Sequence, residues 1–162
     1  MEKAIKIDLW NQFGASLDML ENAISMCPDD FWNTEQQFWY KAFHCVFFLD
    51  YYLSIQPKDF VPPLPFDFSE FEDRMPKRVY TRAEILDYLS YCKKKRQDLF
   101  EDLTLEKLQI RWINESGSMN YSIFEILIYN LRHVQHHAAQ LNLLLHQNTD
   151  EVPEWVFRAE EK

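Results

Sequence analysis

Glycine is almost missing from this chain: it occurs at two of 162 positions. A fold built on tight turns needs residues that accept positive φ, so this scarcity excludes a turn-rich β architecture and favours long helices. Cysteine is sparse as well. Cys27, Cys45 and Cys92 are odd in number, widely spaced and without a C-x-x-C pair, so neither a disulfide framework nor a thiolate zinc knuckle is indicated. Basic charge is also short, with 17 Lys and Arg against 26 Asp and Glu and a net charge of −9. No nucleic-acid partner is expected, because binding to a phosphate backbone draws most of its free energy from cations. The one basic run, Lys93-Lys94-Lys95-Arg96, circles a helix and reads as a solvated stretch followed by Asp98, Glu101 and Asp102. No apolar run has the length of a bilayer crossing, and Met1 to Lys6 lacks the apolar segment of a secretory signal. No membrane partner and a cytoplasmic location are therefore expected.

What the chain does have is apolar and aromatic bulk, 47% and 16% of its residues, enough for one domain over residues 1–162 with a sizeable core. Periodicity and capping signals predict helices near 2–27, 34–55, 81–102 and 122–146, with a C-terminal tail over 147–162. In the first, Ile5, Leu9, Phe13, Leu17, Leu20 and Ile24 recur at intervals of three or four, and Pro28 ends it. Thr34 to Gln37, Thr81 to Glu84 and Ser122 to Glu125 each have the form of a capping box. The second helix is apolar or aromatic nearly all round, and the third has Ile85, Leu86, Leu89, Cys92 and Leu99 as its expected buried stripe. Between these two helices Pro57, Pro62, Pro63, Pro65 and Pro76 alternate with Phe60, Phe66, Phe68 and Phe71. Such aromatics need a surface to cover, so this long Pro/Phe-rich connection is expected to pack across the helices. The fold class is all-α, a four-helix bundle whose middle helices the long connection allows to run parallel. Thr104 to Gly117 reads as irregular. The tail, with Trp155, Val156 and Phe157, is too apolar to be merely solvated and suits docking on the bundle or on a second subunit in a homodimer.

Chemistry concentrates in the histidines. His133 and His137 stand one turn apart on one helix face, roughly 5 to 6 Å between Cβ atoms, close enough to chelate one metal ion. His44 lies in the aromatic second helix, where a buried imidazole needs hydrogen-bond partners or a metal to offset desolvation. A plainer reading pairs His44 with Asp50 or a tyrosine of another helix. His136, about 100° round the helix from His137, competes as a ligand and is assigned to the rim. Asn130 and Gln140 flank the pair; Tyr40, Tyr51 and Tyr129 lie one or two turns from a triad histidine and are candidates to line a pocket. His146, near the helix end, complements the dipole. Three neutral imidazoles leave a coordination position open for water or substrate, as in catalytic sites. The donor set accepts zinc, nickel, iron or manganese. No carboxylate is near enough in sequence to serve as general base, and the catalytic residues stay unassigned. Two other classes remain open: a metal- or ligand-binding protein without turnover, and a structural interaction module.

His44 within Phe38-Trp39-Tyr40-Lys41-Ala42-Phe43-His44, followed by His133-x-x-x-His137-x-x-Gln140-Leu141, resembles the DinB-like (DinB/YfiT) superfamily of metal-binding four-helix-bundle proteins. The resemblance runs from the first helix through the fourth. It implies an up-down-down-up bundle and a divalent metal, most often zinc or nickel, on His44, His133 and His137. It also implies a small-molecule substrate and a low-molecular-weight thiol cosubstrate such as bacillithiol, mycothiol or glutathione, with S-transferase-like or hydrolase-like chemistry or a stress-related binding role. Ala138-Ala139 stands before Gln140 where the family often has glycine, and the Pro/Phe-rich connection marks a subgroup. Neither departure touches the three histidines.

Overall fold

The computed structural model describes residues 2–159, apart from the side chain of Glu2. It is mostly helical. The long helices are α1 (Glu2–Met26), α3 (Phe38–Leu53), α4 (Arg82–Glu101) and α6 (Ile123–Asn148); α2 (Asp29–Trp32) and α5 (Leu105–Gln109) are short. Strands β1 (Arg111–Ile113) and β2 (Asn120–Ser122) pair antiparallel with Trp112 opposite Tyr121. Helix α1 packs on α6 and α4, and α3 packs on the same two, so the long helices close a ring of neighbours. Inside it lie Phe13, Leu17 and Leu20 of α1, Phe43 and Phe47 of α3, Leu89 of α4 and Val134 of α6, all fully buried. Each such side chain stabilises the fold by about 1.5–3 kcal/mol relative to exposure. Among the described residues no helix is long and apolar enough to cross a membrane.

Of the three expected capping boxes, the one at Thr81 forms in full and the one at Ser122 in its N-cap half. The amide of Glu84 donates to the Thr81 hydroxyl at 3.2 Å while the Thr81 amide donates to the Glu84 carboxylate at 2.8 Å, and the Glu125 amide donates to the Ser122 hydroxyl at 3.1 Å. The box at Thr34 does not form. Helix α3 begins at Phe38 behind Gln37, which is left-handed with φ 53°, and the Thr34 hydroxyl turns back to the Phe31 carbonyl. The physical reason is α2, which the sequence reading missed. It buries Phe31 and Trp32 edge-on or tilted against Phe38 and ties the Trp32 indole to the Tyr80 carbonyl at 2.9 Å, so Thr34 serves its exit.

The connection over residues 54–81 covers α3 as its aromatics require. Phe60 and Phe66 are buried, and Phe71 sets its ring 5.1 Å from Phe47 and 4.9 Å from Tyr51. Thr104 to Gly117, read as irregular, holds α5 and the first strand. Trp112 is fully buried between exposed Arg111 and Ile113, and its indole donates to the Ser54 carbonyl at 2.8 Å. Gly117 takes φ 74° in the hairpin turn, a conformation that disfavours a side chain. The tail docks on α1: the Ala159 amide donates to the Asn11 carbonyl at 3.2 Å, while Trp155 and Phe157 stay exposed. The last three residues assigned to the tail lie outside the described residues.

The basic run departs from the expected solvated stretch. Only Lys94 is solvated, in an exposed pair with Asp98. Lys93 bridges Asp18 and Glu21 of α1, Lys95 reaches the buried carboxylate of Asp50 on α3, and Arg96 is 6% exposed. Long aliphatic stems let these cations cross a helix interface that short polar residues could not. Tyr88, Arg96 and Phe100 thus join Ile85, Leu89 and Cys92 in the buried stripe, and Leu86 and Leu99 are only partly covered.

Candidate metal centre

His44 from the middle of α3 faces His133 and His137 from the middle of α6. The ring centroids of His133 and His137 are 4.6 Å apart, and that of His44 lies 4.8 Å from His137 and 5.8 Å from His133. One nitrogen from each imidazole can be chosen so that all three lie within 4.8 Å of one another. Helix α6 packs on α3, and Val134 and Ala138, next to the two histidines in sequence, are fully buried. Asn130 adds a polar tie, its amide donating to the Leu49 carbonyl at 3.0 Å. Asn130 was a pocket candidate; fully buried on that carbonyl, it joins helix to helix instead.

Two of the imidazoles are oriented by side-chain acceptors at Nδ1. The Nδ1 of His44 lies 2.6 Å from Oε2 of Glu70, and the Nδ1 of His137 lies 2.8 Å from Oε1 of Gln140. Both acceptors call for a proton on Nδ1, so Nε2 of each ring carries the free lone pair, the arrangement that orients metal-binding histidines. Asp50, one of the partners the plainer reading offered for His44, bonds Lys95 and Tyr88 on α4. Sequence reading missed Glu70. It sits in the irregular connection, and a turn of hydrogen bonds presents it to α3: the Ser69 amide donates to Asp67 at 3.0 Å and Arg74 clamps the same carboxylate at 3.1 Å. The available signal was a carboxylate placed between Phe68 and Phe71 in a segment whose aromatics need a surface to cover.

His133 is different: both ring nitrogens are buried and neither has a hydrogen-bond partner. A neutral imidazole left so costs about 1–3 kcal/mol of desolvation per orphaned group, and a metal would satisfy the nitrogen that carries the lone pair. The donors present therefore fit a divalent cation. Around them Phe48 sets its ring 4.9 Å from His44 and 6.0 Å from His133, and Tyr52 stands 5.6 Å from His133. Neither was singled out from sequence. Tyr129 packs edge to face on Tyr52 rather than on the histidines, and Tyr51 packs among Phe60, Phe71 and Trp112. Tyr40 lies near Glu70; desolvation and then that carboxylate push its hydroxyl up to about 12. His136 is exposed with its ring against His137 and lies outside the three-nitrogen cluster. His146 stands in the last turn of α6.

Burial, and secondarily the neighbouring imidazoles, push His133 down to about 3; burial and then His44 push His137 down to about 4. Both are neutral at pH 7, as ligands must be. Their unfolded pKa is near 6.5, so between that value and about 4 the unfolded chain binds more protons than the folded one. Their contribution to stability is whole above pH 6.5 and is lost as pH falls toward 4. Urea denaturation in chelator should show the gap between the parent and His133→Leu shifting in favour of the variant from pH 7.5 to 4.5; parallel pH profiles would contradict it.

No family model matches the chain, and neither a curated protein nor a solved structure gives a significant match.

Proposed function

We propose that this chain is a DinB-like protein, an up-down-down-up four-helix bundle of α1, α3, α4 and α6. In this reading it binds one divalent metal on His44, His133 and His137 and acts on a small molecule. One observation supports it: imidazoles from two helices converge so that one nitrogen of each lies within 4.8 Å of the others, and both ring nitrogens of His133 are buried with no hydrogen-bond partner among the described residues. The connection over residues 54–81 is long enough for the crossover that such a bundle needs between its middle helices. Zinc or nickel is the first choice of metal, iron or manganese the second.

A cation held there supplies Lewis acidity, lowering the pKa of water or a thiol toward neutrality. The chain's own residues do the rest. Glu70 and Gln140 hold His44 and His137 in one tautomer and one orientation. Phe48 and Tyr52 wall the histidines with apolar surface and limit water. Tyr40, with its hydroxyl held protonated, is a hydrogen-bond donor beside Glu70. Thiol S-transfer to an electrophile, or hydrolysis, is the chemistry this suits, with a low-molecular-weight thiol as cosubstrate and neither nucleic acid nor membrane as partner.

The test is turnover by zinc- or nickel-loaded protein with glutathione or bacillithiol and chlorodinitrobenzene, and separately with an activated ester. A rate above the uncatalysed one that disappears in His133→Ala is expected. Tight metal binding without turnover would replace the enzyme by a metal-binding protein. A second reading, an interaction module that forms a homodimer, is favoured by Trp155 and Phe157, 60% and 82% exposed on the tail; sedimentation at varied concentration tests it.

A further inference from the structure

A second concave region, of about 1190 Å³, runs between α1 and α4 and shares no residue with the histidine cluster. Trp10, Leu17, Phe100 and Val156 give it apolar walls. Its charge is unusual for so acidic a protein. Lys3, Lys6, Lys93, Lys94 and Arg96 line it against Asp18, Glu21 and Glu101. Asp18 and Glu21 are both taken by Lys93, at 2.9 and 2.6 Å, and Lys94 is paired with Asp98. Among the described residues Lys6 reaches the carbonyls of Glu101 and Leu103 and no carboxylate.

Arg96 is the anomaly. It is 6% exposed, its guanidinium lies 3.8 Å from the centre of the Trp10 ring, and Nη1 donates to the Trp10 carbonyl at 3.4 Å. Its Nε is buried without a hydrogen-bond partner, and it forms no ion pair among the described residues. A guanidinium does not shed its proton to escape such a site, so the charge stands desolvated, offset by the Trp10 face and by the field of Asp18 but without a carboxylate in contact among the described residues. Gly14, one of the two glycines, leaves room at its edge: a Cβ there would fall 2.9 Å from Arg96 Nη1 and 2.4 Å from the Ala159 Cβ of the docked tail.

We propose that this cleft binds a small organic acid, its carboxylate received by Arg96 and its apolar body laid against Trp10 and Phe100. A guanidinium fork matches a carboxylate in two parallel hydrogen bonds, and stacking on Trp10 holds the fork in plane. The apolar walls of Trp10, Leu17, Phe100 and Val156 offer nothing to the remaining oxygens of a phosphate, so phosphate is the poorer ligand. Trp10 and Phe100 pack edge to face at 5.4 Å, a rigid apolar floor beside the cation.

Sodium octanoate is the probe, titrated calorimetrically into the full chain with octanamide and inorganic phosphate as comparisons. Saturable binding of octanoate is expected, with octanamide about tenfold weaker or worse, as loss of a charge-assisted pair implies. Arg96→Gln should weaken octanoate by a similar factor, Gly14→Ala should weaken it by crowding the fork, and octanoate should raise the parent's melting temperature. His133→Ala should bind octanoate as the parent does, so failure here is separable from failure of the metal reading. Absence of saturable binding, equal affinity for octanamide, or an undiminished Arg96→Gln overturns the site, and phosphate binding as tightly as octanoate overturns the apolar-acid assignment. Without ligand, Arg96→Gln should melt no lower than the parent; a lower melting temperature joined to unchanged octanoate affinity identifies an arginine that only packs on Trp10 and overturns the proposal.

Discussion

Protein purified without a histidine tag and loaded with zinc should hold about one ion per chain, and His133→Ala should lose it while keeping its helicity. The expectation rests on His133 having no other work in the fold. Both its nitrogens are buried and unpartnered, so the substitution removes an unpaid polar group and leaves only a small void. Loss of one of three imidazoles should weaken zinc by more than the roughly 10–100-fold that an orienting partner is worth. Glu70→Ala supplies that smaller step: the His44 ring stays, but the acceptor 2.6 Å from its Nδ1 is gone. Zinc affinity from competition with a chromophoric chelator, read beside circular dichroism, orders the three proteins as parent, Glu70→Ala, His133→Ala. Zinc retained in His133→Ala would remove the interhelical site, and an affinity of Glu70→Ala equal to the parent's would reduce Glu70 to a structural contact of the connection.

The parts of this arrangement that could be read from the chain are those governed by helix geometry. Spacing of four puts His133 and His137 on one face whatever the tertiary context, and a lone polar ring among Phe43, Phe47 and Phe48 points His44 inward. Long periodic segments likewise fall within a few residues of their observed ends, and the sparse glycine forecast helices correctly. Glu70 was not legible, because an irregular segment has no period and its orientation depends on Arg74 reaching back to Asp67. Nor was the fate of Lys95 and Arg96. A charge run reads as solvated on charge alone, yet these two cations are drawn into helix interfaces by stems long enough to bury. The cap at Thr34 failed for a third reason: burial of Phe31 and Trp32 outweighs the roughly 1 kcal/mol that a capping hydroxyl is worth. The β-hairpin is two strands of three residues, too short for alternation to announce itself, and its one clear signal, Trp112, is equally at home in a helix.

The buried tie between α3 and α4 should give the largest stability effect of any polar substitution, with Asp50→Ala destabilising by about 3–5 kcal/mol. Asp50 is 1% exposed; its carboxylate accepts from Lys95 and, at 2.9 Å, from the Tyr88 hydroxyl, while Lys95 also donates to the Ser54 hydroxyl at 2.7 Å. Removing the carboxylate strands the Tyr88 hydroxyl in the core and leaves the Lys95 ammonium with a carbonyl and a hydroxyl but no counter-charge. The converse change, Lys95→Met, should do less harm. Desolvation already raises the Asp50 pKa, with Lys95 opposing it, so without the lysine the carboxyl takes up a proton and remains bonded to Tyr88. Joining the two substitutions should therefore cost less than their sum, with a coupling of about 0.5–3 kcal/mol in a double-mutant cycle. Denaturant midpoints at pH 7 with unchanged slopes provide the numbers. Additive substitutions would mean that Tyr88 and packing, rather than the ion pair, join the helices. Asp50 shares α3 with His44 but contacts α4, so correctly folded Asp50→Asn should bind zinc as the parent does. A zinc defect there without unfolding would show instead that the α3–α4 tie sets the position of His44.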